Sequence, residues 1–167
     1  EEDEINEYIE ERDLGELFDA NLFKLLRQFE NSKDFGSLIQ PCLNEKSIAN
    51  AHCLIQAKEP SNQLDLRKTH LKFTRLIKQA EALTKRYQVV VANPPYMGSK
   101  KMNEQVKTFV KNNYVSYKAD LFSAFVARAG SLALEKGHLG FMSPNVWMYI
   151  SSHENLRSIS LEERTIS

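Results

Sequence analysis

An α/β architecture with parallel strands is expected of this sequence, on three grounds. Val89-Val90-Val91-Ala92 is a short β-branched run, the length and composition of a fully buried strand in a parallel sheet. His138-Leu139-Gly140-Phe141-Met142 is a second run of the same kind, stopped by Ser143-Pro144. Between them lies a strong helical pattern from Leu121 to Lys136. Strand, helix and strand from Val89 to Met142 make a βαβ unit, whose strands run parallel and whose crossover is right-handed.

The chain has 167 residues, enough for one domain with a core of its own. It carries 22 basic and 22 acidic side chains, so any attraction to nucleic acid must be local. No apolar run approaches the roughly 18 residues of a membrane span, so no membrane association is expected. The acidic start has no hydrophobic h-region and does not read as a signal peptide. Cys42 and Cys53 are the only cysteines, which makes neither a zinc site nor a disulfide framework. Reduced thiols in a cytoplasmic protein fit this usage.

In chain order, Glu1 to Asp19 is acidic and reads as a solvated helical face. It opens with no initiator Met and no capped element, as in a piece of something longer. From Leu14, the positions Leu17, Phe18, Leu22, Leu25, Leu26 and Phe29 keep helical spacing. Asn31 to Asp34 breaks this helix, and Phe35 to Ile39 is expected to be extended up to Pro41. A second helix, about Asn44 to Lys58, places Ile48, Ala51, His52 and Ile55 on one stripe. A lone His in such a stripe is ordinarily packed rather than functional. After Pro60-Ser61-Asn62, a long helix from Leu64 to Arg86 is expected, with Leu64, Leu71, Leu76, Ile77, Ala80 and Leu83 inward and a basic outer face. That face either follows a phosphate backbone or simply answers the acidic start of the chain.

Val89 to Ala92 ends abruptly at Asn93-Pro94-Pro95-Tyr96. Two prolines donate nothing to a ladder, and Asn93, preceding one, is biased to extended backbone. The tetrapeptide therefore forms a stiff loop at the carboxyl end of a central strand, where open α/β sheets hold ligands. Asn93 offers a side-chain carbonyl, and Pro94 a backbone carbonyl with no competing N–H. Two adjacent acceptors suit an exocyclic amino group, and Tyr96 offers a face on which a planar base or amide stacks. Asn-Pro also simply starts turns, so the flanking pattern matters. Gly98 permits a turn, and Lys100 and Lys101, followed by Lys107, Lys111 and Lys118, are candidates for phosphate contact.

A short helix from Glu104 to Asn112 buries Val106, Phe109 and Val110. Asp120 is placed to cap the next helix, with Phe122, Phe125, Val126, Ala129, Leu132 and Ala133 inward and Gly137 as its terminating residue. Trp147 and Tyr149 lie at the same sheet edge as Asn93; they either face a cleft or pack on the sheet. Ser152 or His153 starts a last helix through Leu156 and Ile159.

VVVANPPYMGSKKMN followed by KADLFSAFVARAGSLALEKGHLGFMSPNVWM resembles the gamma-type adenine-N6 DNA methyltransferases, most of all the methyltransferase of BREX phage-exclusion systems. DFGSLI, Asp34 to Ile39, also occurs in such proteins, and the likeness extends over Phe35 to Arg157. It implies part of a Rossmann-like S-adenosylmethionine-dependent methyltransferase sheet with a helical N-terminal insertion. Residues 1–86 would then be the mainly helical lead-in, and 87–167 the C-terminal part of the catalytic domain. The implied reaction moves a methyl group from S-adenosylmethionine to adenine N6 of a base flipped from double-stranded DNA. Asn93 and Pro94 would accept the amino hydrogens, Tyr96 would stack on the base, and Pro95 would keep the loop rigid. Lys100 and Lys101 would contact the substrate, and Asp120 and Phe122 would line the cofactor pocket. No metal is implied, and the implied partners are DNA and other subunits of a defence system.

The family's Gly-rich cofactor loop and target-recognition region have no counterpart here. The chain is therefore expected to be an internal fragment, inactive alone. NPPY also occurs in protein-glutamine and RNA-base methyltransferases, and a non-catalytic subunit with this fold is a third possibility. The long helical stretch from Asn44 to Arg86 argues against the former, and intact Asn93 and Tyr96 against the latter.

Overall fold

A computed structural model describes residues 20–57 and 64–163. The acidic stretch Glu1 to Asp19, the start of the first helix at Leu14 and the break at Pro60-Ser61-Asn62 lie outside the described residues. The chain divides into two compact units, one drawn from 1–32 and 39–85, the other from 33–38 and 86–167.

The first unit is helical. Its described helices are α1 (Ala20–Phe29), α3 (Glu45–Ala57) and α4 (Leu64–Thr84). Helix α1 buries Leu22, Leu25, Leu26 and Phe29 at the expected spacing. Its Gln28 side chain receives the Cys42 N–H at 2.9 Å and donates to the Gln40 carbonyl at 3.2 Å, which ties the following loop down. Helices α3 and α4 pack on each other. Ile48, Ala51 and Ile55 are buried on α3, and Phe73, Ile77 and Ala80 on α4. The inward stripe of α4 differs from expectation. Leu71 is 54% exposed, whereas Thr69, His70 and Phe73 are buried. A stripe fixed by Ile77 and Ala80 steps back by three or four residues to Phe73, His70 and Thr69, and Leu71 falls off that face. His52 is a packed residue: its Nδ1 lies 3.0 Å from Glu81, which Lys85 also contacts.

The second unit holds the sheet. Strands β1 (Tyr87–Ala92) and β2 (Ala133–Phe141) pair in parallel, Val89 beside His138 and Ala92 beside Phe141. Between them come α5 (Glu104–Asn113) and α6 (Leu121–Leu132). Helix α6 lies against both strands. The expected fully buried strand is not what forms. Val90 and Ala92 are half-buried, but Val89 and Val91 are 57% and 76% exposed. Successive side chains alternate faces, and these two occupy the face opposite Val90 and Ala92.

Helix α6 is shorter than its pattern implies. It ends at Leu132, and Ala133, at φ −81° and ψ 143°, already begins β2. Ala133 pairs with Tyr87, and strand pairing overrides the helical preference of Ala-Leu-Glu-Lys. The register shifts between Tyr87 and Val89, beside Lys136 at φ 62°. Gly137 is thus a strand residue and not a helix terminator. A Cβ there would stand 2.9 Å from the Leu134 carbonyl and 3.0 Å from that of Gln88. Only glycine allows so close a backbone approach.

Phe35 to Ile39, expected extended, is helical over most of its length: α2 (Ser32–Phe35) runs into a 3₁₀ turn at Gly36–Leu38. Gly36, at φ 52°, takes the left-handed conformation. This segment is built into the second unit. Phe35 stacks on Phe109 with centroids 4.1 Å apart, and the Tyr114 hydroxyl donates to the Leu38 carbonyl at 2.6 Å. The Arg128 side chain donates to the Ser37 carbonyl at 3.0 Å. Leu38, Met102, Val106, Val110, Tyr114, Leu121 and Ala124 form the core beneath it. After β2 come 3₁₀ turns at Asn145–Met148 and Ser151–His153, then α7 (Glu154–Glu163).

Candidate functional site

The site begins where β1 ends. The Met142 N–H donates to the Ala92 carbonyl at 3.2 Å, extending the ladder to the last residue before Asn93. The prolines then stop it. Pro94 is buried, while Asn93, Pro95 and Tyr96 are exposed. The Tyr96 hydroxyl donates a long hydrogen bond, 3.4 Å, to Asn93 Oδ1. The two groups expected to handle an amino-bearing planar ligand therefore stand side by side, open to solvent.

Asp120 fixes this loop from behind. It caps α6, with Oδ1 accepting the Phe122 N–H at 3.0 Å. The same oxygen accepts the Met97 N–H at 3.2 Å. Around it, the Leu121 N–H donates to the Met97 carbonyl at 2.9 Å and the Ser99 N–H to the Ala119 carbonyl at 3.0 Å. One carboxylate thus binds the start of α6 to the residue after Tyr96. A carboxylate suits this place, because helix N-termini and unpaired N–H groups both favour negative charge.

Phe122 lies one step deeper, 1% exposed. The Tyr96 ring meets it edge-on, centroids 6.5 Å apart at 79°. Trp147 packs on it at 6.5 Å, while Tyr149 is 78% exposed. Lys100 and Lys101 sit on a tight turn, closed by the Lys101 N–H on the Gly98 carbonyl at 2.8 Å, and both are exposed. Asn103 caps α5 by accepting the Val106 N–H at 2.7 Å. Lys107 pairs with Glu104 at 3.3 Å on the surface.

The structure thus brings Asn93, Tyr96, Asp120 and Phe122 together, with Lys100 and Lys101 on the turn that follows. Sequence reasoning missed two buried polar residues here, Ser123 and His153, whose side chains meet at 2.9 Å. Burial holds the His153 imidazole below its ordinary pKa; Arg157 also lowers it and Asp120 opposes. Arg128, missed as well, is buried at 5% exposure, and burial lowers its pKa too.

The second unit is thus a mixed helix–strand unit in which a parallel strand ends in an exposed Asn-Pro-Pro-Tyr loop, braced by the capping carboxylate of the following helix. The chain belongs to the Eco57I restriction-modification methylase family, whose model matches residues 8–167. It is 34% identical over 145 residues to the adenine-specific methyltransferase BrxX of Escherichia coli O9:H4 (strain HS), covering 86% of this chain and 12% of that protein. It is 30% identical over 158 residues to the adenine-specific methyltransferase PglX of Lacticaseibacillus casei (strain Zhang), covering 92% of this chain and 13% of that one. A third relative, the type II restriction enzyme and methyltransferase RM.Eco57I of Escherichia coli, is 27% identical over 86 residues, 48% of this chain and 9% of its own length. The chain therefore spans only about an eighth of the length of the first two relatives.

Membership of a methylase family raises the question of where a methyl-donor cofactor would sit. Phe122 is closed off by Tyr96, Trp147 and His153. Asp120 has Oδ1 engaged by two backbone N–H groups. The two residues expected at the cofactor thus both reach the loop, Asp120 through Met97 and Phe122 through Tyr96.

Proposed function

We propose that this chain carries the amino-acceptor half of the active site of a DNA adenine-N6 methyltransferase of restriction-modification or phage-defence type. The observation that supports this best is the exposed pair of Asn93 Oδ1 and Tyr96 ring, 3.4 Å apart at the hydroxyl, on a loop held at the carboxyl end of a parallel strand. S-adenosylmethionine would supply an activated methyl group; most of the residues that hold it would lie elsewhere in the parent protein. The parent's sheet would be the full Rossmann-like one, with β1 and β2 as two of its strands.

The chain's own residues bind and orient the acceptor. Asn93 Oδ1 releases the weak Tyr96 bond and accepts one hydrogen of the adenine amino group, and the Pro94 carbonyl accepts the other. Two acceptors in fixed positions orient the nitrogen lone pair and favour positive charge developing on nitrogen. Tyr96 stacks on the flipped base, Pro95 limits loop motion, and Lys100 and Lys101 contact the DNA phosphates. The parent would act on DNA in the cytoplasm with other defence subunits; no helix among the described residues is long and apolar enough to cross a membrane.

The test is methyl transfer from labelled S-adenosylmethionine to unmodified DNA by the full-length protein, with Asn93→Ala beside it. Label in N6-methyladenine, reduced about a hundredfold or more in the variant, is expected. Label that appears only in RNA or protein acceptors would replace DNA as the substrate, and full activity of Asn93→Ala would remove Asn93 from the reaction.

A further inference from the structure

Tyr96 is 51% exposed, and a side chain so placed needs something to set its angle if it is to stack on a base. Phe122 is the aromatic ring it rests against. What holds Phe122 is less obvious. His153 packs on its ring at 5.8 Å, and Trp147 at 6.5 Å. His153 is itself 7% exposed, and its Nδ1 lies 2.9 Å from the hydroxyl of Ser123, which is 1% exposed. Burying an imidazole and a hydroxyl is unfavourable unless each finds a partner. Here they find each other across 30 residues of sequence. The stretch between β2 and α7 is tied together around His153 by hydrogen bonds. Arg157 donates to the Trp147 and Ile150 carbonyls at 2.8 and 2.6 Å, and the Trp147 indole N–H to Ser143 at 3.2 Å.

We infer that His153 is a positioning residue: bonded to Ser123 and packed on Phe122, it sets the backing against which the Tyr96 ring takes its angle. The inference rests on the reading of Tyr96 as the base-stacking residue. Nothing in the amino-group chemistry uses His153 or Ser123 directly, so their effect on turnover passes through Phe122. The neutral imidazole is the form this packing favours. The charged groups facing it are Asp120 and Arg157, which act in opposite directions.

The experiment compares wild-type full-length protein with His153→Leu, Ser123→Ala and His153→Asn. Leucine keeps approximate volume and loses the bond, whereas asparagine retains a polar group near the Nδ1 position. Two readouts are taken. The first is the kcat and KM for methyl transfer to DNA. The second is amide hydrogen exchange of peptides covering 93–97, which needs no turnover. His153→Leu and Ser123→Ala are expected to lower kcat about tenfold with the cofactor KM unchanged, and to speed exchange at Met97. His153→Asn, which can keep the bond to Ser123 but not the ring contact with Phe122, should recover part of both. Wild-type kcat in His153→Leu, or a His153→Asn variant as impaired as His153→Leu, would overturn the inference. If wild-type protein methylates no DNA, the functional reading fails, and exchange alone decides the positioning role: unchanged exchange at Met97 in both bond-deleting variants refutes it. Should His153→Leu fail to fold, Ser123→Ala against wild type carries the comparison.

Discussion

Replacing Asp120 with Ala removes one oxygen that serves two backbone groups. The Phe122 N–H loses its helix cap, at a cost of about 1 kcal/mol. The Met97 N–H, half-buried and 3.2 Å from the same oxygen, loses a bond to a charged acceptor that contributes about 1 kcal/mol more after allowance for solvent. The total, about 2 kcal/mol, acts locally, because the neighbouring bonds from Leu121 and Ser99 remain. If the loop opens by that much more readily, the Met97 amide exchanges about 30-fold faster. Exchange measured by mass spectrometry on the full-length protein, over peptides covering 93–100 and 120–124, reads both ends of the brace at once. Asp120→Asn keeps an acceptor at the same place and should stay within about fivefold of wild type. Acceleration at Phe122 without any at Met97 would refute the double role, and so would an Asp120→Ala protein with wild-type exchange at both peptides.

Tyr96→Ala should lower kcat/KM for DNA by about 10- to 100-fold through lost stacking, while Tyr96→Phe, losing only the 3.4 Å bond to Asn93, stays near wild type; steady-state methylation assays separate them. In α4, Ile77→Ala, at 0% exposure, should destabilise by about 2–5 kcal/mol, whereas Leu71→Ala, at 54%, should change stability by less than about 0.5 kcal/mol in urea titrations. The folded-state pKa of His153 is depressed from its ordinary 6.5, so its contribution to stability is complete above that value and falls as pH drops below it toward the folded-state pKa. Melts between pH 7.5 and 5.5 should show wild-type protein losing more stability than His153→Asn.

What could be read from the sequence was local. The β1 run, the two prolines, the Asp120 cap and the start of α6 are all written in adjacent residues, and each forms where its chemistry puts it. The end of α6 was hidden because Ala-Leu-Glu-Lys prefers helix, and only pairing with Tyr87 draws Ala133 into a strand. The same holds for Phe35: its 3₁₀ surroundings are set by Phe109, Tyr114 and Arg128, far along the chain. In α4 the prominence of leucine misled, since burial followed Ile77 and Phe73 and left Leu71 outside. The proximity of Asn93 and Tyr96 was legible because the loop is contiguous. That of Ser123 and His153 was not, because a hydrogen bond between distant residues leaves no periodic trace.

The bare side of the β1–β2 ribbon has a consequence for how this polypeptide behaves in the test tube. Val89 and Val91 stand clear of any cover among the described residues, on a strand with a ladder partner on one side only. A β-branched row on a strand with one described ladder partner is a template for a second molecule. Produced by itself, the chain would meet its own copies through this row, and its colloidal behaviour would depend on concentration. A lysine at Val91 would interrupt the row without touching Asn93 or the face that α6 covers.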